Sequence, residues 1–147
     1  MRRDQFTAAV QDPSSDSPTL DIVYDGPKDE LGGRLRDEGE PLAATDLDAA
    51  FRLLAPSDTE QDTAGEGVFS LTNRLTGAYL LEVNVDADAM QELVAAAREA
   101  DDDARYQIQI RIDRNDSVVY EMRALFVYNS EGKLLRQRSL IPSGVEL

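Results

Sequence analysis

Apolar residues recur at every second position in short runs of this chain, and that period constrains the fold more than any other feature. Tyr106, Ile108, Ile110 and Ile112 alternate with Arg105, Gln107, Gln109 and Arg111, the pattern of a strand with one face buried and one face wet. Leu20, Ile22 and Tyr24 alternate with Asp21, Val23 and Asp25 before a Gly26-Pro27 turn signal, and Leu47, Ala49, Phe51 and Leu53 point away from Asp48, Ala50 and Arg52. Residues 68–72 and 78–85 flank Asn73-Arg74-Leu75-Thr76-Gly77, a hairpin loop in which Gly77 supplies positive φ. Residues 118–128 carry apolar side chains on both faces, as a covered central strand does. After a turn at Asn129-Ser130-Glu131-Gly132, a final strand reaches about Leu140.

One segment breaks the period. Met90, Leu93, Val94 and Ala97 follow helical spacing, Asp88 is a good N-cap, and Gln91 lies three residues on as in a capping box, which predicts a helix near 88–100. Asp101-Asp102-Asp103 then sets negative charge against the negative end of the helix dipole. Residues 1–17 read as a poorly ordered arm, because Gln11 to Pro18 is polar and rich in Ser and Pro. Residues 55–67 read as a long acidic loop. The 147 residues suffice for one core, so residues 18–147 are expected to form a single domain. The expected fold is mainly β: an immunoglobulin-like antiparallel β-sandwich with a helical cover or crossover. An open antiparallel sheet packed on one helix is the alternative.

Charge narrows the chemistry. The formal charge is −14, from 18 Asp and 11 Glu against 13 Arg and only two Lys, Lys28 and Lys133. Repulsion among so many carboxylates disfavours a compact state in dilute buffer, whereas at molar salt the Debye length falls to about 3 Å. An Asp-rich, Lys-poor surface therefore reads as adaptation to concentrated salt, since Arg carries a weakly hydrated charge suited to pairing. The chain has no His and no Cys, which removes thiol nucleophiles, Cys/His zinc sites, Ser-His-Asp triads and imidazole catalysis. Met1-Arg2-Arg3 is basic but leads into Asp4-Gln5-Phe6-Thr7 rather than an apolar export segment, and no run approaches a membrane span. The expected location is the cytoplasm.

What remains for catalysis is paired carboxylates or a hard cation on oxygen ligands. Glu82 and Glu121 are strand acids that would have to face one another for glycosidase-type chemistry, against the plainer reading of two solvated residues. Asp86-Ala87-Asp88, Asp101-Asp102-Asp103 and Asp113-Arg114-Asn115-Asp116 lack the spacing of a calcium loop. Gly32-Gly33 and Gly65-Glu66-Gly67 lack the context of a phosphate loop, and Ser70, Ser117, Ser139 and Ser143 have no base partner in view. No catalytic residue, metal or cofactor is expected.

The charge is unevenly spread. The first 104 residues hold 8 bases and 24 acids, the last 43 hold 7 and 5. Arg105, Arg111, Arg123, Arg136 and Arg138 are thus candidates for a docking patch, with local pairing to carboxylates as the plainer alternative. Leu140, Ile141 and Pro142 open an unusually apolar tail, which either folds back onto the sandwich or is read by a partner. A non-catalytic module binding an unknown protein partner through the Arg-bearing face or the tail is the leading expectation. A carboxylate or oxygen-ligand enzyme is second. Nucleic-acid contact through the Arg patch with Tyr106, Tyr120 or Tyr128 stacking is third, and overall charge opposes it. Either a monomer or a homodimer is compatible with the sequence.

Four segments, Met1 to Phe6, Val23 to Pro27, Val85 to Ala100 and Arg136 to Gly144, give the chain a resemblance. It resembles a family of small uncharacterised proteins from halophilic archaea. That resemblance implies a salt-rich cytoplasm and carries over no catalytic or binding residue. If brine is the native solvent, circular dichroism should show secondary structure gained as KCl rises from millimolar to molar; equal signal at both extremes would contradict it.

Overall fold

Alternation becomes pairing in two four-stranded sheets of mixed direction. The computed structural model describes residues 5–11, 18–37, 39–54, 66–100, 105–112 and 116–141. The first sheet has the order β1 (Phe6–Gln11), β2 (Thr19–Tyr24), β8 (Tyr106–Arg111), β9 (Ser117–Met122). The second has the order β10 (Phe126–Tyr128), β5 (Leu47–Leu53), β6 (Glu66–Asn73), β7 (Tyr79–Asp86). A two-residue pair, β3 (Arg36–Asp37) and β4 (Glu40–Pro41), lies between β2 and β5 in the chain. Two pairs are parallel, β2 with β8 and β10 with β5. The pairing therefore departs from the expected all-antiparallel, immunoglobulin-like arrangement. Strands adjacent in sequence form the antiparallel pairs, but the parallel ones join segments far apart in the chain, which local periodicity does not encode.

The inward positions of both sheets meet in one buried cluster. Leu20, Ile22, Ile108, Ile110 and Tyr106 from the first sheet share it with Phe51, Phe69, Leu71 and Val83 from the second. The chain passes from one sheet to the other through α2 (Ala87–Ala100), which links β7 to β8 and buries Met90, Leu93, Val94 and Ala97 as its spacing predicts. Its start differs from expectation by two residues. The Asp86 carboxylate accepts from the Asp88 amide at 2.9 Å, so Asp86 caps the helix and Asp88 lies inside its first turn.

Two elements were hidden in the sequence. Phe6–Gln11 is not part of an unstructured arm: it is β1, paired residue for residue with β2 from Phe6↔Tyr24 to Gln11↔Thr19, with the Phe6 and Tyr24 rings 4.9 Å apart. Lys28–Arg34 forms a short helix, α1, with Pro27 at the cap position, Asp29 and Glu30 in the first turn and Arg34 in the last. Those are helix-start and helix-end signals, but Gly32-Gly33 masks them. Of the expected loop over 55–67, Glu66 and Gly67 belong to β6, and residues 55–65, Asp101-Asp102-Asp103, residues 113–115 and Pro142 onward lie outside the described residues.

The hairpin between β6 and β7 forms with Gly77 at φ 76°. At the far end of β6, Gly67 meets β5 closely: a Cβ there would lie 2.6 Å from the Arg52 carbonyl oxygen and against the Phe51 ring. Gly67→Ala is thus expected to cost about 1–3 kcal/mol of stability through overpacking. Gly32→Ala, at a helical position with open space around it, should gain about 0.5–1 kcal/mol. Urea unfolding at fixed KCl reads both.

Candidate functional site

Strand register decides where each candidate side chain points. On the outside of the first sheet the outward residues line up in three rows across the strands. They are Thr7–Val23–Arg111–Ser117, Ala9–Asp21–Gln109–Val119, and Gln11–Thr19–Gln107–Glu121. The first of these rows lies at the Arg111 end of β8, and Arg105 stands just beyond the last. Among the described residues of these rows and Arg105 the charges are Asp21, Glu121, Arg111 and Arg105, and they pair off; exposed Arg123, opposite Arg105, and exposed Asp25, just after β2, border them. Arg111 Nε donates to Asp21 Oδ1 at 3.2 Å, and Arg105 donates to Glu121 at 3.0 Å. Asp21 is the more enclosed, at 8% side-chain exposure, with its second oxygen accepting from Gln11 Nε2 at 2.9 Å. Val23 and Val119 stand exposed beside it. The two pairs cancel one another's charge in the middle of this face, on a molecule of charge −14.

The arginines therefore do not merge into one cationic patch. Arg105 and Arg111 lie six residues apart on one strand, about 20 Å at ordinary strand rise. Arg123 follows β9 and has its own interaction partner. Arg136 and Arg138 belong to a 3-10 turn in the C-terminal segment, where Arg136 is exposed and Arg138 is buried and partnered. Leu140 is not a surface contact either. It is buried, and it exchanges two backbone hydrogen bonds with Leu125 at 2.9 and 2.8 Å. Ser139 beside it accepts from the Val127 amide with its hydroxyl and from Arg98 with its carbonyl. Up to Ile141, which is half-buried, the tail is folded back and covers the free edge of β10.

The acids fail to converge. Glu82 pairs across to Ser70 on the outside of the second sheet, and Glu121 to Gln107 on the outside of the first, so the two point away from one another. Among the described residues no group of three acidic side chains forms a cation cage. Tyr106 and Tyr120 are inward and buried, and burial pushes both phenols up from their ordinary pKa. The Tyr106 hydroxyl donates to the Ala124 carbonyl at 2.7 Å. The Tyr106 ring, fully buried, cannot stack on a ligand.

Two hollows remain. A cleft of about 410 Å³ lies between α1, at Gly32 and Gly33, and β9, at Ser117, Val118 and Tyr120. A groove of about 520 Å³ crosses the outside of the second sheet. Its floor is Ala50 and Ser70 on the central strands, and larger side chains rise from the flanking ones, Tyr79 and Glu82 on β7 and Tyr128 on β10. Of the nine aromatic residues, the three that are not buried, Tyr79, Phe126 and Tyr128, all sit on this face. Tyr79 is there because of an irregularity. Leu80 is an extra residue opposite the Leu71–Thr72 step, and this bulge turns Tyr79 to the same side as Glu82, three positions on. In a regular strand the two would face opposite ways. The Leu80-Leu81 doublet, which interrupts the alternation, was the sequence signal for it.

These features define a mainly β protein of two mixed sheets with one neutral and one aromatic outer face, and no helix among the described residues is long and apolar enough to cross a membrane. The chain matches, over residues 1–147, the model of a family of unknown function, DUF5793, and it belongs to that family. No curated protein and no solved structure matches it.

The two ion pairs of the neutral face should differ in weight. Asp21→Ala removes two hydrogen bonds from an enclosed site and is expected to cost about 1–2 kcal/mol. Glu121→Ala breaks a pair that is half exposed on both sides and should cost under about 0.5 kcal/mol. Denaturant midpoints of the two variants provide the comparison.

Proposed function

We propose that this protein is a non-catalytic, salt-adapted module that binds a protein partner through the outer face of its first sheet. The observation that carries the reading is charge cancellation. Solvent-facing surface on a chain of −14 is expected to be acidic, yet this face pairs each acid with a base, Asp21 with Arg111 and Glu121 with Arg105. Its remaining outward residues are Thr, Ser, Gln, Ala and Val. A surface of that kind can approach another acidic protein without like-charge repulsion. The exposed Val23 and Val119 supply apolar area at its two sides. The basic excess of the last 43 residues serves this neutralisation, since Arg105 and Arg111 both come from there. A salt-rich archaeal cytoplasm is the setting that fits the Arg-to-Lys skew, and in it the partner would itself be acid-coated.

Site-specific photo-crosslinking tests the reading. A benzophenone side chain at Gln109, in the middle of the face, should capture one partner in a cell extract at molar KCl. The same group at exposed Glu92 on α2 should capture none. Val119→Asp adds an unpaired acid and should reduce capture about tenfold or more. A product of twice the chain mass would make the partner a second copy. Equal capture at both positions, or capture unchanged by Val119→Asp, would overturn the proposal.

A further inference from the structure

The groove on the second sheet is a separate site, and its residues specify a ligand. Glu82 and Arg52 are the charged groups that line it. Arg52 is engaged, donating to the Ser130 carbonyl at 2.9 Å. Nearby Asp48 is neutralised by Arg74 at 3.1 Å. Among the described residues Glu82 has no ion-pair partner, and the bulge at Leu80 sets it beside Tyr79, a residue 60% exposed. A carboxylate next to an open aromatic face favours a cation held against the ring, because ring quadrupole and carboxylate attract the same charge. The molecule's overall charge draws cations toward it as well. Between Tyr79 and Tyr128 the groove is lined by the small residues Ala50 and Ser70 and by Val68. From β7 to β10 is three strand spacings, about 14 Å, the reach of about four or five extended residues.

We infer that this groove binds an extended peptide segment of a partner protein, with an arginine side chain stacked on Tyr79 and paired to Glu82 and the peptide running across the sheet toward Tyr128. Phosphate-bearing ligands are repelled by the acidic chain, and a neutral sugar would leave Glu82 covered without a counter-charge. Arginine fits better than lysine, since a planar guanidinium stacks on the ring while its edge meets the carboxylate.

The probe is the capped pentapeptide acetyl-Ala-Leu-Arg-Leu-Ala-amide, titrated into the isotopically labelled full chain at a KCl concentration that supports the fold. Amide shifts should map to Tyr79, Glu82, Ser70 and Ala50. Tyr79→Ala should weaken binding about fivefold or more and Tyr79→Phe less than about twofold. Glu82→Gln should weaken it about threefold. The amide spectra of the variants report their folding directly, and the substitutions are at exposed positions. Replacing the peptide's Arg by Gln should remove the shifts, and free arginine should give weaker ones at the Tyr79 end alone. Equal binding of the Gln peptide, shifts confined to other surfaces, or groove shifts from cellobiose with none from the peptide would each overturn the inference.

Discussion

The parallel pairing of β2 with β8 is the contact on which the rest of the structure depends. It ties Thr19–Val23 to Gln107–Arg111, so everything between them, including α2 and three of the second sheet's four strands, β5, β6 and β7, is held within one closed loop of chain. Remove that ladder and the β1–β2 pair is cut from β8 and β9, because β1 joins their sheet only through β2. The outer face disappears as well, since its three rows run across this junction. Loop closure over such a distance is entropically costly before any contact repays it, which places the protein among slower-folding topologies. What repays it is the row of fully buried side chains at the junction, Leu20, Ile22, Ile108 and Ile110. The tail makes a similar long-range closure: Leu140 on Leu125 and Ser139 on Val127 supply the edge of β10 with partners that no further strand provides.

Much of this architecture was legible from period alone, and the failures have physical causes. The inward residues of β2, β5 and β8 and the buried stripe of α2 follow from spacing. β1 escaped because its outward set includes Ala9 and its inward set Ala8, so the contrast between faces is weak, and the neighbouring Pro and Ser obscured the run. The direction of pairing is a property of two distant segments and is not written in either. Counting bases in the last 43 residues detected a real asymmetry but gave no geometry. Strand rise separates Arg105 from Arg111 along β8, and register then sets each against an acid contributed by another strand. Asp21 comes from 90 residues earlier in the chain, and only the β2–β8 ladder brings it to Arg111. The tail was readable as apolar, and its docking required the exposed edge of β10, which no local pattern announces.

The groove was missed for a different reason. Period-two reading treats Leu80-Leu81 as noise, yet here the two adjacent buried leucines mark a bulge. Once the bulge is admitted, Tyr79 and Glu82 share a face and the small residues Ala50 and Ser70 become a floor. Bulges are recurrent devices for re-aiming side chains near binding sites, so a doublet inside an otherwise alternating run deserves weight when a sequence is read.

The two outer faces differ in what covering them would cost, and that difference sets their selectivity. On the first sheet Asp21 has already lost its water and has both oxygens bonded. A partner laid over it as proposed would therefore remove little further hydration, and the choice of partner would rest on shape and on the valines. On the second sheet Glu82 is still hydrated. Covering it with a neutral chain would strip that hydration for nothing in return, a cost of several kcal/mol for an enclosed ion. A guanidinium supplies both a counter-charge and hydrogen bonds, and it keeps part of its own edge in water at a site this open. Glu82 thus acts against neutral and acidic sequences more strongly than it acts for basic ones. In a molecule carrying so many carboxylates, discrimination comes from the few that are placed without a partner beside an aromatic ring, because only there does burial make the charge matter.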